Sequence, residues 1–169
     1  SAIYNKIQTT NSAISEFLLR NGIEESEISI SAPSVYDNAA ERYSSNNNPY
    51  RYMVTNVVVV TSPKVEQVRQ LIARQTELMR QGIAVVAGDY NYSTTYEYTD
   101  LNTIKPEMIA EATAAAREAA DKFAADSRSR LGGIKTASQG QFSISDRDQY
   151  TPQIKTVRVV TSITYSLED

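Results

Sequence analysis

The chain has 169 residues, 41% of them hydrophobic and 22% charged, with a net charge of −3. That composition suits one compact domain, or at most two small lobes, with a proper core, and the acidic balance supplies no field for nucleic acid or an anionic membrane. Cysteine and histidine are both absent, which removes thiol catalysis, Ser-His-Asp machinery, Cys/His zinc sites and haem held by His or Cys. No apolar run approaches the ~18 residues needed to span a bilayer; Val57–Val60 is a tract of only four.

Ala2–Asn21 spaces Ile3, Ile7, Ile14, Phe17 and Leu18 as a helix does, and Gly22 makes a natural stop. Glu27–Ser34 alternates, with Ile28, Ile30 and Ala32 on one face, and reads as a strand. "SVYDNAAERYSSNNNPY" is too polar for a buried element and reads as a long loop or extended hairpin tip. Arg51–Thr61 is a strand, apolar on both faces toward its end and so expected to be covered on both sides.

Ser62–Pro63 opens a helix, with Val65, Val68, Leu71, Ile72, Leu78 and Met79 as its buried stripe and Gly82 as its end. Asp89–Thr99 alternates tyrosine with polar residues, a strand pattern. Asn102 or Thr103 then caps a long alanine-rich helix, with Pro106 in its first turn and "SRLGG" at its end. Its inner stripe is Ile109, Ala112, Ala116, Ala120, Phe123, Ser127 and Leu131, small residues that let a helix approach a sheet closely. Two further strands follow, "IKTASQGQFSIS" and "IKTVRVVTSITYSLE", joined by "DRDQYTP".

Two stretches repeat one another. "LLRNGIEESEISIS" and "SRLGGIKTASQGQFSIS" each run leucine, glycine, isoleucine and an alternating strand, and "YRYMVTNVVVV" resembles "IKTVRVVTSIT". A pseudo-repeat with halves 1–61 and 103–167 is one account; a generic helix-glycine-strand junction is the other. Helices alternating with hairpins predict an α+β fold, a mainly antiparallel sheet with three helices packed on it.

"NGIEESEISIS", "YRYMVTNVVVVTSPKVEQV", "MIAEATAAAREAADKFAADSRSRLGGI", "SISDRD" and "VRVVTSITYSLED" together resemble the SIMPL-domain family, the YggE-like bacterial envelope proteins, over nearly the whole of 1–169 as a single domain. The resemblance implies an α+β fold, export to the periplasm or outer envelope, a capacity to form oligomers and a loose link to stress tolerance. It implies no catalytic, cofactor-binding or metal residue. Members have a strand ahead of the first helix; this sequence does not contain it, so an open sheet edge is expected beside the first half.

The candidate interaction surface is tyrosine. Tyr90, Tyr92, Tyr96 and Tyr98 fall on one face of a regular strand, where they either stack on a glycan, peptide or partner subunit or simply cover a helix or sheet edge. The loops Tyr36–Tyr50 and Asp146–Pro152 are expected to join adjacent antiparallel strands and project as arms that offer Tyr36, Tyr43, Tyr50 and Tyr150 to another subunit. Asp146 and Asp148 share the spacing of a calcium loop's first ligands but lack the rest of that motif; a turn held by aspartate-to-backbone bonds is the simpler account. "EESE" at Glu24–Glu27 reads as solvated charge, and Lys135 and Lys155 have no partner that spacing identifies. The reading is a non-catalytic, self-associating envelope protein, with a periplasmic binding module for a glycan, peptide or small ligand as the alternative.

Overall fold

A computed structural model describes residues 2–40, 49–86 and 91–169. These divide into two units, Ser1–Ser93 and Thr94–Asp169, each made of helix and short antiparallel ladders, an α+β architecture. Among the described residues the strands pair two by two into four ladders rather than one continuous sheet.

In the first unit α1 spans Ala2–Arg20. Its last turns reach the core through Phe17 and Leu18, while Ile3 is exposed. The helix ends in a Schellman motif: Ile23 N–H donates to Leu18 O at 3.1 Å, Gly22 N–H to Leu19 O at 3.2 Å, and Gly22 sits at φ +87°. Only glycine takes that conformation cheaply. Strands β1 (Ile28–Ile30), β2 (Ser34–Asp37), β3 (Tyr52–Thr55) and β4 (Val58–Val60) then form one broken hairpin, β1 on β4 and β2 on β3.

β4 is covered on one face only. Val58 and Val60 pack on the core, but Val59 is exposed, because a two-stranded ladder with a core on one side leaves alternate residues outside. Helices α2 (Val65–Ala73) and α3 (Thr76–Arg80) follow. Leu71 and Leu78, seven residues apart, fall on one face and are buried, while Val65, Ile72 and Met79, also spaced by seven, fall on another and are exposed. α3 ends in a second Schellman motif, with Gly82 at φ +78° and Ile83 N–H on Leu78 O. Both motifs deliver an isoleucine to one core: Phe17, Leu18, Ile23, Leu71, Leu78 and Ile83.

The stretch that runs from the first unit into the second is unexpected. Residues 91–99 belong to no ladder among the described residues, although they alternate as a strand does; alternation sets side-chain faces but supplies no pairing partner. Helix α4 spans Leu101–Asp126. It starts at Asp100, whose carboxylate accepts Thr103 Oγ1 at 2.6 Å, earlier than expected, so Pro106 lies inside the helix and one backbone bond is forgone. Ala112, Ala116 and Ala120 are half-buried as the stripe predicts, but steps of four residues bring Ala124 inward and leave Phe123 outside, 76% exposed. The helix packs on β5 (Arg130–Gln139) and β8 (Thr161–Glu168); β6 (Ser143–Asp146) pairs with β7 (Lys155–Arg158).

The double glycine does not stop α4. Arg128 does, at φ +59°, with Ser129 N–H on Ala124 O at 2.8 Å and Arg128 N–H on Ala125 O at 3.1 Å, a Schellman motif with no glycine. Leu131 is therefore in a strand, not the helix, and Gly132–Gly133 lie where the β5/β8 register shifts. A Cβ on Gly132 would run into Ser166 of β8.

The two hairpins are equivalent bond for bond. In each base ladder Ile28–Ile30 facing Val58–Val60 corresponds to Ala137–Gln139 facing Thr161–Ile163. At the break Ser31 N–H donates to Val57 O (2.9 Å), and Gly140 N–H to Val160 O (2.8 Å). In the outer ladders Ser34–Asp37 facing Tyr52–Thr55 corresponds to Ser143–Asp146 facing Lys155–Arg158. Beyond them Asn38 N–H donates to Arg51 O and Arg147 N–H to Ile154 O.

Candidate functional site: the two hairpin arms

Each arm begins where its hairpin breaks away from the core ladder. Val35 faces Val54 in the first arm, and Ile144 faces Val157 in the second; these β-branched pairs suit a pleated surface. At the far end an aspartate closes each ladder against a base. Arg51 grips Asp37 through Nε to Oδ1 at 3.4 Å and Nη2 to Oδ2 at 3.3 Å, and Lys155 bonds Asp146. The Arg51 bond, then the Ala39 N–H, hold the Asp37 carboxyl below its ordinary pKa. Arg51 also lies over the Tyr52 ring, 5.0 Å from its centre.

The second arm's tip is an aspartate turn, as the simpler sequence account has it. Asp148 Oδ1 accepts Tyr150 N–H and Thr151 N–H at 2.9 and 2.8 Å, and Oδ2 accepts Thr151 Oγ1 at 2.7 Å. The Thr151 hydroxyl leads in lowering its pKa. No group of three acidic side chains that could hold a metal occurs among the described residues.

Tyr36, Tyr50 and Tyr150 are exposed on the arms, Tyr150 most of all at 82%, and Tyr92 is exposed ahead of α4. Tyr96 and Tyr98 are half-buried, with Glu97 between them exposed. Tyr43 and Tyr90 lie outside the described residues. The arms thus collect Tyr36, Tyr50 and Tyr150, whereas Tyr92, Tyr96 and Tyr98 lie in an irregular segment, not on a ladder.

Sequence reasoning missed a polar cluster at the end of α1. Glu27, read as solvated charge, has a side chain only 11% exposed. Its Oε2 accepts Glu24 N–H at 2.8 Å, its Oε1 accepts Ser62 Oγ at 2.8 Å, and Lys64 Nζ lies 3.4 Å away. The Glu24 N–H and the Ser62 hydroxyl lower its pKa. Lys64 Nζ also donates to Gly22 O at 2.9 Å, a cation on the carbonyl end of a helix, where the dipole favours it. The only foretelling signal was Glu24 and Glu27 at capping-box spacing.

Beside this cluster an open cleft of about 480 Å³ is lined by Asn21, Gln67, Gln70, Leu71 and Arg74. Two of its side chains already bond within it: Gln67 Nε2 bonds Asn21 O, and Arg74 bonds Asn21 Oδ1 and Glu77. The arrangement ties the end of α1 to the residues that lead into β1 and α2. No helix among the described residues is long and apolar enough to cross a membrane.

Comparison with known proteins gives one family. The model of the SIMPL family, described as a protein of unknown function (DUF541), matches residues 1–165. No curated protein matches the chain.

Proposed function

The chain belongs to the SIMPL family, and from that premise we propose that it is a non-catalytic protein of the bacterial envelope that acts by associating with copies of itself through its two arms. The observation that carries this reading is the pair of outer ladders. They expose Val35, Tyr36, Met53 and Ile144, with Tyr50 and Tyr150 beyond them, and tyrosine and methionine are enriched where proteins meet. Residence in the periplasm or outer envelope, a part in stress tolerance, and descent of halves 1–61 and 103–167 from one repeated unit within a single 1–169 domain belong to the same reading.

A second reading rests on Tyr92, Tyr96 and Tyr98. Their rings flank exposed polar residues ahead of α4 and suit stacking on a glycan or peptide. Sedimentation velocity separates the two. Replacing each outer ladder and its tip by a short Gly-Ser turn, after Ser31 and before Val57 and likewise after Gly140 and before Val160, should reduce the assembly to monomer. An unchanged mass would remove the arms as contacts, and a glycan-dependent rise in melting temperature lost in Tyr96→Ala would favour the second reading.

A further inference from the structure

Asn21 precedes Gly22, the only Asn-Gly pair in the sequence. Such a pair carries its own reactivity, because the glycine nitrogen can attack the asparagine side-chain carbonyl and glycine has no side chain to obstruct the ring that forms. The folded chain holds the reacting groups apart. Asn21 Nδ2 donates to Phe17 O at 2.7 Å, which turns the side chain back toward the last turn of α1, and Asn21 Oδ1 accepts Arg74 Nη1 at 2.8 Å. The attacking nitrogen is engaged as well, since Gly22 N–H donates to Leu19 O at 3.2 Å.

The carbonyls on either side of that nitrogen are fixed by α2 and the residue before it. Gln67 Nε2 donates to Asn21 O, and Lys64 Nζ donates to Gly22 O at 2.9 Å. Arg74 is itself seated, forked on Glu77 at 2.8 and 3.1 Å and 5.8 Å from the centre of the Phe17 ring. Gly22 is nevertheless exposed, and the cleft beside Asn21 is open. Water therefore reaches the pair, and the bonds restrain it.

We infer that Asn21–Gly22 is a modification site gated by the docking of α2 on the end of α1. When that contact opens, a solvent base takes the Gly22 N–H proton and the nitrogen lone pair bonds to Asn21 Cγ. The Cγ–Nδ2 bond breaks, and Nδ2 takes up a proton and leaves as ammonia. Water then opens the cyclic imide at one of its two carbonyls. Opening at Cγ gives an aspartyl residue at position 21; opening at the backbone carbonyl gives an isoaspartyl residue, with the chain rerouted through Cβ. Water is the sole co-reactant.

Either product makes the opening last. A carboxylate cannot donate to Phe17 O, and it places an anion at a helix C-terminus, where the dipole disfavours it. The isoaspartyl form also lengthens the main chain by one carbon between Leu18 and Ile23, whose backbone bond ends α1 and sets Ile23 into the core.

The full chain is incubated in mildly alkaline buffer and digested. Mass spectrometry then reads conversion of amide to acid in the Asn21 peptide, and an isoaspartyl methyltransferase with labelled S-adenosylmethionine reads the rerouted product. Conversion should be fast in urea and about tenfold or more slower in the native chain. Arg74→Ala and Gln67→Ala each release one hold and should speed it about tenfold in native buffer, with the rate in urea unchanged. Circular dichroism checks that both variants fold; if they do not, the parent chain in urea below its global transition serves, where conversion should already rise. Asn21→Gln should abolish the conversion in both conditions. Equal rates in native buffer and urea, or folded variants that convert no faster than the parent, would show that these bonds do not gate the site. Conversion that tracks only the globally unfolded fraction would remove the local opening, and no conversion even in urea would remove the reaction.

Discussion

Ile23 donates its N–H to the carbonyl of Leu18 at 3.1 Å, and both side chains lie buried in the same core cluster. The bond that ends α1 therefore also sets the first residue after it into the core. Gly22 makes this possible, and Gln67 closes over it, so that an added Cβ would strike the Gln67 amide. Gly22→Ala should cost about 1–2 kcal/mol from the left-handed backbone alone, and more from the collision. Gly82→Ala, at a similar φ with open space around it, should show only the backbone part. Urea unfolding of both variants checks the order, and Gln67→Ala should recover part of the loss only in the Gly22 variant.

Arg128 makes the opposite prediction. A side chain at φ +59° carries the left-handed penalty, and among the described residues Arg128 is held through its N–H, bonded to Ala125 O. Arg128→Gly should stabilise the chain by about 0.5–1 kcal/mol, the backbone gain less the extra entropy of an unfolded glycine. Arg128→Val should destabilise it. A urea midpoint that falls in the glycine variant would mean that the arginine side chain itself holds the turn.

Gly132 and Gly133 are neighbours with different duties. Gly132→Ala should disturb the β5/β8 ladder and cost about 1–3 kcal/mol, the usual range for forcing extra volume into a packed site, since both Ser166 Oγ and its carbonyl stand in the way. Gly133 has nothing within 4 Å of the added carbon, and Gly133→Ala should be near neutral. Amide exchange at Ser166–Glu168 reads the difference directly.

Acid should loosen the first unit. Glu27 and Asp37 both have lowered pKa values. A carboxylate whose folded pKa is depressed contributes stability that is complete above its unfolded pKa, about 4, and lost as the pH falls through the folded value. The difference in melting temperature between the parent chain and Glu27→Gln should therefore be full at pH 7 and shrink below about pH 4. The Asp37 contribution, on an exposed pair, should weaken with salt as well. A Glu27→Gln difference that persists unchanged at pH 2 would show the carboxylate's charge to be irrelevant there.

What the sequence by itself determined was local. Apolar spacing placed the cores of α1, α2 and α4; Gly22 and Gly82 marked two helix stops, because only a positive φ there closes the Schellman bonds. The Asp148 turn was legible too, since its bonds reach only two and three residues along the chain. What needed the tertiary structure was everything set by bonds between distant residues. The string match places Tyr50 against Ile154, but the hydrogen-bond register places Arg51 there, and only that one-residue change exposes Tyr36–Met53 as the counterpart of Ser145–Thr156. Glu27 looked solvated because Ser62 and Lys64, which cover it, lie far along the chain. Residues 91–99 alternate as a strand does and join no ladder among the described residues, because alternation reports only which way side chains point, whereas a strand exists by the partner it bonds. Helix ends and faces follow from neighbours in sequence; register, and with it the residues that two strands set side by side, follows from which backbone groups meet in space.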